Sequence, residues 1–145
     1  MSDARDASVP RPRRPDDDGP WLQAAFFCDQ AVKDPNEIFS FGGVHDGCVT
    51  VGGDGAHVTP LLVLMFTGGE TPRTVWLSIQ ARGPWWPGVV EAIVPQILRF
   101  DGPRTGHTMI SRIRIPTEQD GTVWLDVRID DDVVTRMPFN VTVEP

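Results

Sequence analysis

Lysine occurs once in this 145-residue chain, at Lys33, and cysteine twice, at Cys28 and Cys48. Two thiols are too few for a disulfide-stapled miniprotein. The longest apolar stretch, Leu61 to Phe66, falls far short of the roughly 18 residues that a membrane span needs. Residues 1–19, MSDARDASVPRPRRPDDDG, contain no apolar h-region of a secretory signal. The expected compartment is therefore the cytoplasm, with both cysteines as reduced thiols. Cations are also short: 13 Lys plus Arg against 20 Asp plus Glu leave a formal charge of -7. Such a chain repels DNA, RNA and anionic membranes, so neither nucleic acid nor membrane is an expected partner. Twelve of the 13 cations are arginine, a bias that decides nothing about function.

What is present fits one domain. The chain is 40% hydrophobic and 23% charged, with 14 Gly and 14 Pro, which suits a single soluble unit with a sizeable core. Residues 1–19 read as a disordered N-terminal arm, carrying PRPRRP ahead of DDDG, and residues 20–145 as the folded domain. From Trp21 onward, short β-branched and aromatic runs are separated by Gly, Pro and Asp clusters. No stretch offers a capped amphipathic helical repeat. Strands are expected near 21–28, 37–45, 58–67, 73–81, 89–100, 107–115, 121–129 and 133–143.

Eight short antiparallel strands bury a common face by packing two sheets or closing a barrel. Their spacing favours a two-sheet antiparallel β-sandwich, immunoglobulin-like or jelly-roll. In residues 75–81, Val75, Leu77, Ile79 and Ala81 share one face, while Trp76, Ser78 and Gln80 share the other. In residues 121–129, Val123, Leu125, Val127 and Ile129 form the inward set, and Trp124 accompanies Asp126 and Arg128. Asp130-Asp131-Asp132 then turns the chain into a last strand, which makes a terminal hairpin. Pro95 divides residues 89–100 and favours a strand with a bend or bulge over a helix. The stretch 61–66 is apolar on both faces. It is either a central strand under a covering segment, or its Leu62-Leu64-Phe66 face is buried in a homodimer.

The run Ala24-Ala25-Phe26-Phe27-Cys28-Asp29-Gln30-Ala31, followed by Ile38, Phe39 and Gly42-Gly43, resembles the opening of a family of small bacterial β-sandwich proteins of unknown function. The likeness extends to Leu98 and Phe100, to the strand from Gly121 to Asp130, and to Pro138, Phe139 and Val141. It implies a sandwich fold and transfers no catalytic set.

Chemical constellations are sparse. His45, His57 and His107 are the only histidines, and no metal-binding or redox motif joins them to cysteine. The nearest approach to a zinc cluster is His45-Asp46 with Cys48. Asp29, Asp54, Asp101 and the Asp130, Asp131, Asp132 run could supply oxygen ligands to Ca²⁺, with the last three the first to test, but Asp-rich hairpin turns arise without a metal. No nucleophile elbow, P-loop or dinucleotide fingerprint is present. Ser111 with His107, or Glu91 with Glu118, can be drawn as catalytic sets, but residue types this common make such sets cheap. No cofactor is expected and the chain does not read as an enzyme.

The unusual feature is aromatic. Trp85 and Trp86 sit between Pro84 and Pro87, and parity places Trp76 and Trp124 opposite the main apolar set. Large rings held partly in water are costly unless they meet something. Trp76, Trp85, Trp86 and Trp124 are therefore the expected interaction residues of a non-enzymatic protein-interaction or structural module, self-associating through Leu62, Leu64 and Phe66 in its homodimeric form. The alternative is a small-ligand module, holding carbohydrate on the Trp-rich loop or Ca²⁺ on the Asp-rich turns.

Overall fold

The structure is a computed structural model and describes residues 18–52, 57–103 and 105–144. The expected arm lies outside the described residues apart from Asp18 and Gly19, and so does Asp54, one of the expected calcium ligands. The chain is all-β. Its strands are β1 (Trp21–Cys28), β2 (Gln30–Lys33), β3 (Phe39–Gly42), β4 (Cys48–Gly52), β5 (His57–Val58), β6 (Leu61–Thr67), β7 (Arg73–Arg82), β8 (Val90–Phe100), β9 (Gly106–Arg112), β10 (Ile115–Pro116), β11 (Gly121–Ile129) and β12 (Asp132–Glu144). Among the described residues no helix is long and apolar enough to cross a membrane.

Two larger sheets carry the fold, a three-stranded one ordered β1-β6-β9 and a five-stranded one ordered β4-β12-β11-β7-β8. Two short ladders, β2-β3 and β5-β10, accompany them. The period-two pattern sets which side chains turn inward. Val75, Leu77, Ile79 and Ala81 of β7 and Val123, Leu125, Val127 and Ile129 of β11 are all at most 2% exposed. They join Phe27, Leu62, Leu64, Phe66 and Met109 of the smaller sheet in one buried hydrophobic cluster. Burial of each such side chain stabilises the fold by roughly 1.5–3 kcal/mol before the entropy of ordering it is counted.

The sheets are not antiparallel throughout, which corrects that expectation. β4 lies parallel to the end of β12, with Asn140 opposite Cys48 and Glu144 opposite Gly52. Without β4, the last residues of β12 would leave one row of backbone donors and acceptors unpaired. Within β4, Val49 and Val51 pack against the core. Glycines on either side leave this short segment outside the strands expected from the sequence.

Leu62, Leu64 and Phe66 call for a second correction. They are at most 2% exposed and face the five-stranded sheet, so they form no outward surface. The strand is central, between β1 and β9, and Val63 on its other face is buried as well. Phe26, opposite Val63, meets the Phe41 ring edge-on at 5.0 Å, so the β2-β3 hairpin covers part of that face.

The terminal hairpin forms with Ile129 opposite Asp132, which leaves Asp130 and Asp131 as a two-residue turn. Asp130 has φ +53°, a left-handed conformation that Asp tolerates better than most side chains. Pro95 lies where β8 bulges. Leu77 to Ile79 on β7 faces Gln96 to Ile93 on β8, which is one residue longer. β8 is an edge strand, where a missing N–H and a bulge are both tolerated.

The start of the described chain is pinned beside β7. The Thr71 N–H donates to Asp18 Oδ1 at 3.0 Å, and Arg73 donates to the Gly19 carbonyl oxygen. The bond from Thr71 holds the Asp18 carboxyl below its ordinary value of 3.8. A depressed carboxyl stabilises the fold above its unfolded value and loses that contribution as pH falls through the folded one. Asp18→Asn should therefore lower the urea midpoint at pH 7, and the gap to the native chain should close as pH drops below about 3.8. Equal midpoints at pH 7 would remove the Asp18 anchor from the account.

Candidate functional site

The outer face of the five-stranded sheet carries the exposed aromatics. Trp76 on β7 is 53% exposed and Trp124 on β11 is 42% exposed. Trp76 lies opposite Ile97 of β8, itself 57% exposed, while Trp124 lies opposite Arg82 at the far end of β7. Six residues of strand separate Trp76 from Arg82, so the two indoles stand roughly 20 Å apart. They mark two ends of one face.

At the Trp124 end the polar chemistry is concentrated. Asp126 is 4% exposed although it belongs to the outer face, because arginines from both neighbouring strands close over it. Arg136 of β12, directly opposite, donates from Nε to Asp126 Oδ1 at 2.7 Å and from a terminal N–H to Oδ2 at 3.2 Å. Arg82 of β7 donates to Oδ2 at 3.1 Å. This is a forked guanidinium–carboxylate pair with a second guanidinium added. The Asp126 carboxylate also raises Arg136 above its usual value, so that guanidinium stays charged. Beside the pair opens a hollow of about 520 Å³, lined by Arg82, Gly83, Pro84, Thr122, Trp124 and Arg136.

The rim of the hollow is fixed by the 83–88 loop. Trp86 N–H donates to the Gly83 carbonyl oxygen at 3.2 Å, and Pro84 lies against Gly121 so closely that a Cβ there would stand 2.6 Å from the proline ring. Only glycine admits that approach. Trp85 and Trp86 themselves are partly buried against the core and meet edge-on at 6.1 Å. The structure thus places two of the four expected interaction tryptophans on the open face and the other two in a loop packed on the core.

The Asp-rich turn is tied into the Trp76 end. Asp130 Oδ1 accepts the Trp76 N–H at 3.0 Å, and the Asp130 N–H donates to the Trp76 carbonyl oxygen at 2.7 Å. Arg73 approaches Asp130 Oδ2 at 3.6 Å, and Arg128 donates to the Asp131 carbonyl oxygen at 2.7 Å. Of the three calcium candidates Asp130, Asp131 and Asp132, the Asp130 carboxylate is therefore engaged by a backbone amide and a guanidinium.

A second cavity, about 550 Å³, includes Asp29, His45, Cys48, Arg112 and Phe139 in its lining. His45 Nδ1 accepts the Gly47 N–H at 3.2 Å, and Nε2 stands 3.8 Å from Asp29 Oδ1. Neither ring nitrogen is engaged with Cys48, whose Sγ receives the Asn140 amide at 3.7 Å. Cys28 is buried, and that burial pushes its thiol up. Among the described residues no three His, Cys, Asp or Glu side chains are grouped to hold a metal ion. Of the other drawn sets, His107 is not engaged with Ser111. His107 Nε2 bonds the Arg99 carbonyl oxygen at 2.6 Å, four residues along β9 from Ser111.

The Arg82–Asp126–Arg136 cluster is the feature that sequence reasoning missed. Parity did place Trp124 and Asp126 together, but the partner of Asp126 depends on a bulge between Val127 and Arg128. Counting straight back from the turn pairs Asp126 with Thr135, and the bulge moves it to Arg136. No family model matches the chain, and no curated protein matches it.

Proposed function

We propose that this chain is a non-enzymatic protein-interaction module that docks a partner chain on the outer face of its five-stranded sheet. Trp76 and Trp124 are its aromatic anchors. We read the two larger sheets as the halves of a β-sandwich, immunoglobulin-like or jelly-roll, a reading supported by the one buried cluster that both sheets feed.

The observation that carries the proposal is the exposure of two indoles, 53% and 42%, on strands whose inward residues are fully packed. Rigid strands hold these rings in place without loop ordering, and tryptophan is enriched among residues that dominate binding energy. Self-association is one form of this function, since a two-fold axis across the face would set one Trp end against the other.

Light scattering on the eluting full chain at several concentrations, paired with acrylamide quenching, tests the reading. A reversible dimer that the double variant Trp76→Ala/Trp124→Ala converts to monomer supports docking to a second copy. A monomer whose quenching falls by a large share in the double variant supports docking to another protein. A monomer whose quenching is unchanged in the double variant has no open aromatic face, and the proposal fails.

A further inference from the structure

We propose that residues 10–15 of this chain, Pro-Arg-Pro-Arg-Arg-Pro, seat on the Trp76 end of the outer sheet face and cover it until a docking partner displaces them. The inference shares Trp76 with the docking reading above and adds an internal competitor for one end of that face. Residues 10–15 lie outside the described residues, and the described anchor and surface set where they reach.

The first ground is where the described chain begins. Asp18 accepts the Thr71 N–H, and the Gly19 carbonyl oxygen accepts from Arg73. Arg73 in turn approaches Asp130 at 3.6 Å, and Asp130 Oδ1 accepts the Trp76 N–H at 3.0 Å. Two side chains thus link the start of the chain to Trp76, which lies three residues along β7 from Arg73, roughly 10 Å. Pro15 precedes Asp18 by three residues and Pro10 by eight. At about 3.1 Å per residue, the rise of a proline-rich chain, they reach roughly 9–25 Å from the anchor, a span that takes in the indole.

The second ground is the surface itself. Ile97 lies directly opposite Trp76 and is as open, and Val94 is 77% exposed where β8 bulges across from Ser78. An indole and two aliphatic side chains therefore stand together on this end of the face. Proline-rich segments dock on surfaces of this kind, because proline rings lie against an indole and a chain already restricted by proline loses little freedom on docking. Arginine adds to the contact by stacking its guanidinium on the indole.

The third ground is charge. Residues 1–17 hold four Asp and four Arg, so residues 18–145 carry the whole formal charge of -7. Round Trp76, Arg73 is matched by Asp130 and Arg99 by Asp101, while Arg128 donates to the Asp131 carbonyl oxygen. The carboxylates of Asp18, Glu70, Asp131 and Asp132 remain against that one arginine. The balance stays negative even with Arg104, in the turn after β8, which lies outside the described residues. Residues 10–15 bring three arginines and no carboxylate. Attachment through Asp16 and Asp17 makes the contact intramolecular, at the millimolar effective concentration of a short linker, so a weak contact suffices to fill the site.

The experiment compares the full ¹⁵N-labelled chain with its triple variant Arg11→Ser/Arg13→Ser/Arg14→Ser, which leaves the Asp18 and Gly19 anchors unchanged. The triple variant should move the Trp76 indole Nε1–H and Ile97 amide resonances and leave the Trp124 indole in place, whereas Arg5→Ser should move none of them. High salt should carry the native signals toward those of the triple variant. The peptide N-acetyl-VPRPRRP-amide, added to the triple variant, should return both resonances toward their native positions. It should bind the native chain about tenfold more weakly, because the site there is already filled. Unmoved Trp76 and Ile97 signals, equal movement of Trp124, or equal peptide affinity for the two chains overturns the cover. A native Trp76 signal that changes with protein concentration assigns the segment to a second copy and overturns its seating on its own chain. If the triple variant leaves Trp76 unmoved while that indole is quenchable, the docking face stands and only its internal cover falls. If Trp76 moves but quenching is the same in Trp76→Ala/Trp124→Ala, the cover stands and the docking reading falls.

Discussion

Leu64→Ala should destabilise the fold by about 3–4 kcal/mol without changing its association state. Leu64 is 0% exposed at the middle of β6, between Ala25 of β1 and Met109 of β9, and it faces the five-stranded sheet. The substitution removes three buried carbons' worth of apolar surface and leaves a cavity. The surrounding cluster, to which strands of both larger sheets contribute, limits how far that cavity can collapse, which puts the cost near the middle of the usual range for this change. In a chain of this size the midpoint of thermal unfolding should fall by roughly 6–16 °C. Urea unfolding with unchanged m-value checks the magnitude, and light scattering checks the association state. Trp76→Ala, at 53% exposure, should cost well under 1 kcal/mol by the same measurement. The contrast separates core from docking face. A Leu64→Ala variant of near-native stability that no longer self-associates would restore the interface reading of β6.

That reading failed for a definite reason. A strand apolar on both faces is ambiguous in one dimension, because alternation only says which residues share a face and not what covers each face. In this chain the inner face of β6 meets the larger sheet, and the outer face is partly covered by the β2-β3 hairpin through Phe26 and Phe41. The hairpin does not adjoin β6 in sequence, and of the larger sheet only β7 follows it directly. Where the sequence alternates strictly, as in β7 and β11, the inward set was legible residue by residue, and so was the turn at Asp130-Asp131 that joins β11 to β12.

β4 was hidden because five residues with glycines nearby give too short a pattern, and its pairing with β12 spans some ninety residues of chain. The glycines that obscured it serve that pairing. Gly47, at φ +84°, accepts the Asn140 N–H at 2.6 Å, and a Cβ there would stand 2.7 Å from the Pro138 carbonyl oxygen. For the site, parity located Trp76 and Trp124 on the outer face, as found. Parity cannot report depth, however, and Asp126 on the same face is nearly inaccessible. Its burial comes from two arginines on different strands, one brought into register by the bulge at Val127 and Arg128.

Asp126→Ala should be the most damaging single change on that outer face, at about 2–3 kcal/mol. Removing the carboxylate of a buried pair takes a compensating charge from its cations, and in fully buried pairs this costs roughly 3–5 kcal/mol. The figure here is smaller because Arg82 is 42% and Arg136 22% exposed, so water recovers part of the lost interaction. The effect should be directional. Arg82→Gln leaves Asp126 with the forked pair from Arg136 and should cost less than 1 kcal/mol, whereas Arg136→Gln breaks the fork and should cost more. Replacing both members at once, as Asp126→Val/Arg136→Met, removes the buried charge instead of stranding it, and should recover most of the stability lost in Asp126→Ala. Urea midpoints of the four variants at pH 7 decide the matter. If the double variant is as unstable as the summed losses of Asp126→Ala and Arg136→Gln, the cluster acts as two independent surface contacts. It then does not restrain Arg82 beside the hollow.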